Sequence, residues 1–286
     1  MQGMAMTPQE EARAALSANG LLPDAELDLA AAALQFARID APDADWRAAA
    51  DALSALARDA VAAAAADPEA DAGDPEKRRR VLAELLHGRL GYAGDTENYE
   101  DPANANLIRV LERRRGLPVA LGVLWLHAAE AAGWTAHGID FPGHFLLAVE
   151  GERAQAVVDV FAGGEGLRAP ELRGLLKRFE GEKAELRPGT LRRMEKREVL
   201  LRLQNNLKLR RLRARDLEGA LGCAEDMLRL APDHVGLWRE AGLMNQRLDR
   251  IGAALSCLDR AIELEPTGET ASRLRAVVEE LRHRLN

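Results

Sequence analysis

Two side chains in this sequence are typed and spaced for proton chemistry. His144 follows Phe141-Pro142-Gly143 at the head of one apolar run, and Asp159 closes the next, Val157-Val158-Asp159. On neighbouring strands such a pair is a base and its orienter. The carboxylate holds the imidazole in one tautomer and stabilises the imidazolium formed when it takes up a proton. The nucleophile served by this pair belongs upstream, at the start of a helix. A helix is expected there, from about Pro118 to Ala132, but it opens Gly116-Leu117-Pro118-Val119-Ala120, without a thiol. The chain's only cysteines, Cys223 and Cys257, lie far downstream. The constellation reads as that of a cysteine enzyme lacking its cysteine.

The elements that must position these residues follow from pattern. The 118–132 stretch places Leu121, Leu124, Trp125, Ala128 and Ala132 on one helical face, and Gly133 stops it. Three short strands are expected after it: Thr135–Ile139, His144–Glu150 and Ala156–Phe161. Gly163-Gly164-Glu165-Gly166 reads as a turn, because no Lys-Ser or Lys-Thr follows to make a phosphate loop. Before the helix, 105–115 reads as another helix with a basic end, which suits the macrodipole. The loop ahead of it carries Tyr99, Asp101, Pro102, Asn104 and Asn106 beside the expected cleft. These residues read either as ligand contacts or as turn and cap residues bonded to local backbone.

The flanks have different textures. Residues 7–66 are Ala-rich with helical spacing, Asp43-Ala44-Asp45 forming an N-cap region, and a further helix is expected over 75–89. From residue 191 the chain repeats: Ala220 and Ala254, Cys223 and Cys257, Leu230 and Leu264, Pro232 and Pro266 are each 34 residues apart. That is the tetratricopeptide period. In the second unit Trp238, Ala241, Gly242, Ala254, Leu258, Ala261 and Pro266 fit the repeat, and residues 269–286 read as a capping helix. The paired cysteines read as small packing residues.

Composition narrows the function classes. The chain has 286 residues, is 47% hydrophobic and 30% charged, and carries a net charge of -7. Only the last third is basic, with 19 Lys or Arg against 15 Asp or Glu over 191–286. The segment from Arg187 to Arg215 holds eleven basic residues and two glutamates, but no aromatic residue for base stacking. Nucleic acid is therefore not an expected partner. No apolar run of membrane-spanning length and no signal-peptide pattern is present, so no membrane partner and a cytoplasmic location are expected. Two cysteines make no disulfide framework. His144, Asp159 and Asp140 lack metal-ligand spacing, and no metal or other cofactor is expected.

The run Asn98-Tyr99-Glu100-Asp101-Pro102-Ala103-Asn104-Ala105-Asn106-Leu107 leads to Val110-Leu111-Glu112-Arg113-Arg114-Arg115-Gly116-Leu117-Pro118-Val119-Ala120-Leu121. Phe141-Pro142-Gly143-His144-Phe145-Leu146 and Asp159-Val160-Phe161-Ala162-Gly163-Gly164 follow. In this order the motifs resemble the bacterial transglutaminase-like family with a C-terminal tetratricopeptide region, whose best-known members are called Sir-B invasion-gene regulators. The resemblance implies an α+β fold: a helical N-terminal region (1–89) packed on a degenerate, papain-like transglutaminase domain (90–190), then tetratricopeptide repeats (191–286). It places His144 and Asp159 at the family's His and Asp, and the lost cysteine near Pro118 or Val119. The expected function is a non-catalytic adaptor or regulator that binds a protein or peptide partner, with Tyr99, Asp101, Asn104, Asn106 and His144 as binding residues. The alternative is a hydrolase or acyltransferase that uses His144 and Asp159 without a cysteine. A third reading, a DNA-binding transcriptional regulator, has no helix-turn-helix signature behind it.

Overall fold

Aspartates start most of the N-terminal helices. Asp28 accepts from the Ala31 N–H to open α2 (Leu29–Asp40), and Asp45 accepts from the Ala48 N–H to open α3 (Trp46–Ala65). Asp67 and Asp74 do the same for a single turn, α4 (Pro68–Asp71), and for α5 (Pro75–Ala83), each with proline at the first helical position. The helix expected over 75–89 changes character part-way: a π-helical turn, Glu84–Arg89, replaces its second half. The computed structural model describes residues 6–285. Met1–Ala5, part of the stretch searched for a leader, and Asn286 lie outside the described residues.

Two compact units share the chain. One comprises Pro23–Leu203 with the residues up to Ala12; the other comprises Gln204 onward with Arg13–Leu22. The boundary therefore falls within α1 (Pro8–Gly20) and near the middle of α9 (Lys196–Arg213).

The first unit is built on a five-stranded antiparallel sheet. Its strands are β3 (Ala136–Phe141), β4 (His144–Glu150), β5 (Gln155–Asp159), β6 (Glu165–Leu167) and β7 (Arg192–Met194), in the order β6-β5-β4-β3-β7. A two-stranded parallel pair, β1 (Ala93–Gly94) with β2 (Arg115–Gly116), stands apart from it. Helix α6 (Leu107–Arg113) precedes β2, and α7 (Pro118–Ala131) follows it. The 105–115 helix is shorter than expected. Residues 102–105 make a separate tight turn, and Arg114 ends α6 in the left-handed region at φ 56°.

Helix α7 is buried from Pro118 to Leu126 without interruption, and again at Ala128 and Ala129. The expectation of one buried face is thereby corrected. A helix apolar all round is an interior helix, and this one lies between α2 and α3 and the β3 and β4 strands. Gly122 makes the sheet contact possible, since a Cβ there would sit 2.3 Å from Phe145 Cε1. On the other sheet face, Ile139, Phe141, Leu146, Ala148 and Val157 are covered by Leu172 and Leu176 of α8 (Ala169–Glu180). Each fully buried Leu or Phe contributes about 1.5–3 kcal/mol. These two apolar layers fix which face every strand residue occupies.

In the second unit α10 (Leu217–Leu230) packs on α11 (Val235–Arg247), α11 on α12 (Ile251–Leu264), and α13 (Glu269–Leu285) closes on α12. Ala254, Leu258 and Ala261 are buried with Leu274, Val278 and Leu281. A Cβ on Gly242 would lie 2.6 Å from Leu258 Cδ2, so the small residue sets the helix spacing. Residues 13–22 join this unit: Arg13 Nε pairs with buried Asp226 at 3.0 Å, and Gly20 lies against the Arg229 carbonyl.

Candidate functional site

His144 stands at the start of β4, opposite Phe141, across a two-residue turn made by Pro142 and Gly143. Proline sets the first turn dihedral, and Gly143 supplies the positive φ of 69° that the second requires. The same glycine admits Phe179, since a Cβ on Gly143 would fall 2.5 Å from Phe179 Cδ1. The Phe179 ring then lies nearly parallel to the imidazole, with centroids 6.0 Å apart. Beneath the site Arg202 Nη2 donates to the His144 carbonyl at 2.9 Å, while Nη1 pairs with Asp140 at 2.6 Å. Asp140 also holds Arg192 at 2.8 Å.

Asp159 ends β5. The register pairs Ala148 with Val157, so strand alternation puts His144, Leu146 and Ala148 on one face with Val157 and Asp159. Asp159 Oδ2 lies 3.0 Å from His144 Nε2. Its Oδ1 accepts the N–H groups of Phe161 at 3.0 Å and Ala162 at 3.2 Å. Burial pushes the Asp159 carboxyl upward, but the His144 hydrogen bond and charge and the two backbone donors outweigh it, and the carboxyl is held below its ordinary range. An ionised carboxylate can only accept. Nε2 of His144 therefore donates to Asp159, and in the neutral ring Nδ1 is the nitrogen left with the lone pair. Among the described residues nothing hydrogen-bonds to Nδ1.

At the start of α7 the chain offers no attacking group. Leu117, Pro118 and Val119 are all buried. The Asp159 turn reaches this segment through Phe161: a Cβ on Gly94 would lie 2.4 Å from the Phe161 ring, and Gly94 pairs with Gly116. Both cysteines belong to the repeat unit. Cys223 is buried and Cys257 half-buried, and burial, with Glu225 nearby, pushes the Cys257 thiol upward, away from thiolate.

The loop ahead of α6 is exposed over residues 96–100 and turns inward at its asparagines, Asn104 and Asn106. Asn104 is fully buried; its amide donates to the Asn98 carbonyl at 2.8 Å, and its own carbonyl accepts from Leu117 N at 3.0 Å. Asn106 is buried too, donating to the Ala37 carbonyl at 3.1 Å and capping α6. Asp101 accepts from Ala103 N and pairs with Arg113 at 3.2 Å. Tyr99 is exposed, as is Pro102, and its ring stands edge-on to Phe161 with centroids 5.8 Å apart. The two asparagines and Asp101 thus do a turn's work, tying the α7 start to α2 and α6.

Several residues of the site carried no motif. Phe179 belongs to α8, an unanticipated helix that begins at Ala169 after Arg168, with Pro170 in its first turn and Glu171 accepting from Arg168 N. Its Leu172, Leu175, Leu176 and Phe179 spacing is the signal that would have found it. The 163–166 turn is corrected as well, because Glu165–Leu167 pairs with β5 as the edge strand β6. The third strand ends at Asp159, which leaves Phe161 in the turn rather than in the sheet. A second histidine is half-buried against α7: His87 Nε2 accepts from Trp125 Nε1 at 3.1 Å, and Nδ1 donates to the Tyr92 carbonyl at 2.7 Å.

No group of three or more His, Cys, Asp or Glu side chains among the described residues is placed to hold a metal ion. No described helix is long and apolar enough to cross a membrane. Much of the basic 187–215 segment is committed to ion pairs: Arg192 to Asp140 and Glu198, Arg193 to Glu150, Lys196 to Glu130, and Lys208 to Glu240.

An α+β unit with a His–Asp pair on the sheet face that α8 covers, opposite the face packed on the interior helix α7, followed by helical repeats, defines the class. Residues 45–205 match the transglutaminase-like superfamily and residues 207–279 match the tetratricopeptide repeat. The chain belongs to the transglutaminase-like superfamily, with a tetratricopeptide region following. Among similar proteins is a UPF0162 protein of Xylella fastidiosa (strain Temecula1), 31% identical over 255 residues that cover 88% of this chain and 89% of the relative. A UPF0162 protein of Vibrio cholerae is 30% identical over 73% of this chain and 78% of its own length. The Salmonella typhimurium protein SirB1 is 27% identical over 73% of this chain and 77% of its own. A crystal structure of menin aligns over 91% of this chain and 70% of that one, at a TM-score of 0.40 and 11% identity, a likeness too slight to bear on function.

Proposed function

We propose that this protein is a non-catalytic adaptor or regulator, in which the transglutaminase-like unit holds a polypeptide segment that a thiol enzyme of the same design would cleave or acylate. The observation that carries the reading is the site's asymmetry. The base and its orienter are in bonding contact at 3.0 Å, while the start of α7, where the family resemblance puts the nucleophile, carries Pro118 and Val119 and no thiol. Without a thiolate or hydroxyl within reach of the imidazole, covalent acyl transfer has no first step. What remains is a hydrogen-bond acceptor, Nδ1, beside two outward aromatic rings, and such a surface binds. The repeats supply a second surface of a kind suited to protein partners.

A second reading is favoured by one feature, the lone pair on Nδ1. A water held there could be activated by general-base catalysis, which makes a cysteine-independent hydrolase the alternative.

Site-specific photo-cross-linking tests the adaptor reading. A benzophenone residue placed at Phe179 in the bacterial cell should trap a discrete polypeptide, and a Cys223→Ser/Cys257→Ser background should trap it equally. Cross-links at Phe179 no more specific than those from a probe at Glu279 on α13 would contradict the reading.

A further inference from the structure

Two aromatic rings stand out in solvent, and both flank the His144–Asp159 pair. Tyr99 is 45% exposed and Phe179 46%, more than any other described aromatic ring. Phe179 comes from α8 and lies over His144 with a 16° interplanar angle. Tyr99 comes from the loop ahead of α6 and meets Phe161, two residues past Asp159. Exposed rings present their negative π-faces to whatever enters between the loop and the helix.

The charge around these rings is predominantly acidic on the Tyr99 side. Glu165 is the cross-strand partner of Asp159, so its side chain shares the face that carries His144, and it is exposed. Glu97, two residues before Tyr99, is exposed as well. Neither glutamate enters an ion pair among the described residues. Arg113, the cation nearest the loop, is committed to Asp95 and Asp101. Lys177 and Arg178 precede Phe179 in the last turn of α8, so the basic residues of the site's surroundings lie on that helix.

We propose that this end of the unit selects an extended partner segment bearing lysine or arginine. The cationic side chain lies against the Tyr99 ring toward Glu97 and Glu165, and His144 Nδ1 accepts a main-chain N–H of the same segment. A cation over an aromatic face is attracted by the ring quadrupole, and unpaired carboxylates beside it add complementarity that an acidic or neutral segment cannot match. The assignment names the partner chemistry for the adaptor reading above and rests on it.

Fluorescence anisotropy on the full chain tests the assignment, with labelled peptides identical except for positions carrying Lys, Ser or Glu. The Lys peptide should bind about tenfold more tightly than the Ser peptide, a difference of about 1.4 kcal/mol, and the Glu peptide more weakly than either. Tyr99→Ala and Glu165→Lys, both at exposed positions, should each remove most of that advantage. Glu279→Lys, on α13, should leave it intact and so exclude attraction to the chain's overall negative charge. Equal affinity for the Lys and Ser peptides, or a Lys preference untouched by Glu165→Lys, overturns the charge assignment. In that event, if His144→Ala still weakens all the peptides, the binding cleft stands and only its selectivity is lost. If no peptide's binding depends on His144 or Phe179, the adaptor reading of this site falls with it.

Discussion

Replacing Gly122 by alanine sets two known effects against each other at a single atom. Alanine is about 1 kcal/mol better than glycine in a helix interior, so the substitution should stabilise α7 if nothing else intervened. The new Cβ, however, would stand 2.3 Å from Phe145 Cε1 and 2.9 Å from Cζ. That ring is buried and packs over Gly138 on its other edge, so it can move only by disturbing the contacts of the core around it. Overpacking of a core contact costs about 1–3 kcal/mol, so the clash should exceed the helical gain, with a net loss of up to about 2 kcal/mol. For a unit of this size 1 kcal/mol corresponds to about 2–4 °C in Tm. Gly174→Ala, in α8, is the matched control, because a Cβ there has nothing within 4 Å. Differential scanning calorimetry should show Gly122→Ala melting several degrees below wild type and Gly174→Ala at or above it. Phe145→Leu should relieve part of the Gly122→Ala loss in a double-mutant cycle. A Gly122→Ala protein as stable as the Gly174→Ala control would refute the proposed α7–sheet packing.

Further outcomes follow from the same contacts. Gly242→Leu should destabilise the repeat unit by about 1–3 kcal/mol through overpacking against Leu258, read as an earlier thermal transition with the unit containing His144 unaffected. Burial lowers the His87 pKa, the Tyr92 carbonyl only partly offsetting it, and the neutral ring so favoured is the form that accepts from Trp125. Its stabilising contribution is therefore fully present above the unfolded value of about 6.5 and is lost as pH falls below it toward the lowered folded value. Urea midpoints should drop on acidification through that window, and Trp125→Phe should flatten the drop. Asp159 acts in the same direction in a lower window: its folded pKa lies below the ordinary carboxylate value, so its stabilisation is present above that value and is lost as pH falls through the lowered folded one. Asp159→Asn should cost about 1–3 kcal/mol near neutrality and remove that part of the acid dependence.

The parts of this molecule legible in sequence are those with a period or a fixed order. The 34-residue spacing gave the repeat helices through residues such as Ala254 and Gly242, whose smallness has one geometric use. The order of Pro118, His144 and Asp159 was enough to read a helix followed by strands carrying a His–Asp pair, but not that α7 would be buried on every side or that the pair would lie on the sheet face covered by α8. The parts that escaped are set by tertiary context. Strand β7 has only three residues, Arg192–Met194, and pairs with β3 in a sequence that reads as a basic run. Strand β6 exists because β5 offers it an edge, and nothing in Glu165-Gly166-Leu167 announces it. Asn104 and Asn106 look like contact residues because amides suit both ligands and backbone; only their burial shows which partner they took. Phe179 carried a readable helical spacing that a search centred on motifs passes over.

The central claim is that the His144–Asp159 pair survives here for binding, without a nucleophile. Turnover of amide and ester substrates by the full chain measures this most directly, with His144→Ala and Cys223→Ser/Cys257→Ser proteins alongside. The account predicts rates at the uncatalysed background for wild type and both variants, in the presence or absence of reductant. Robust turnover that disappears with His144→Ala and survives the loss of both cysteines would contradict it and establish a water-using hydrolase.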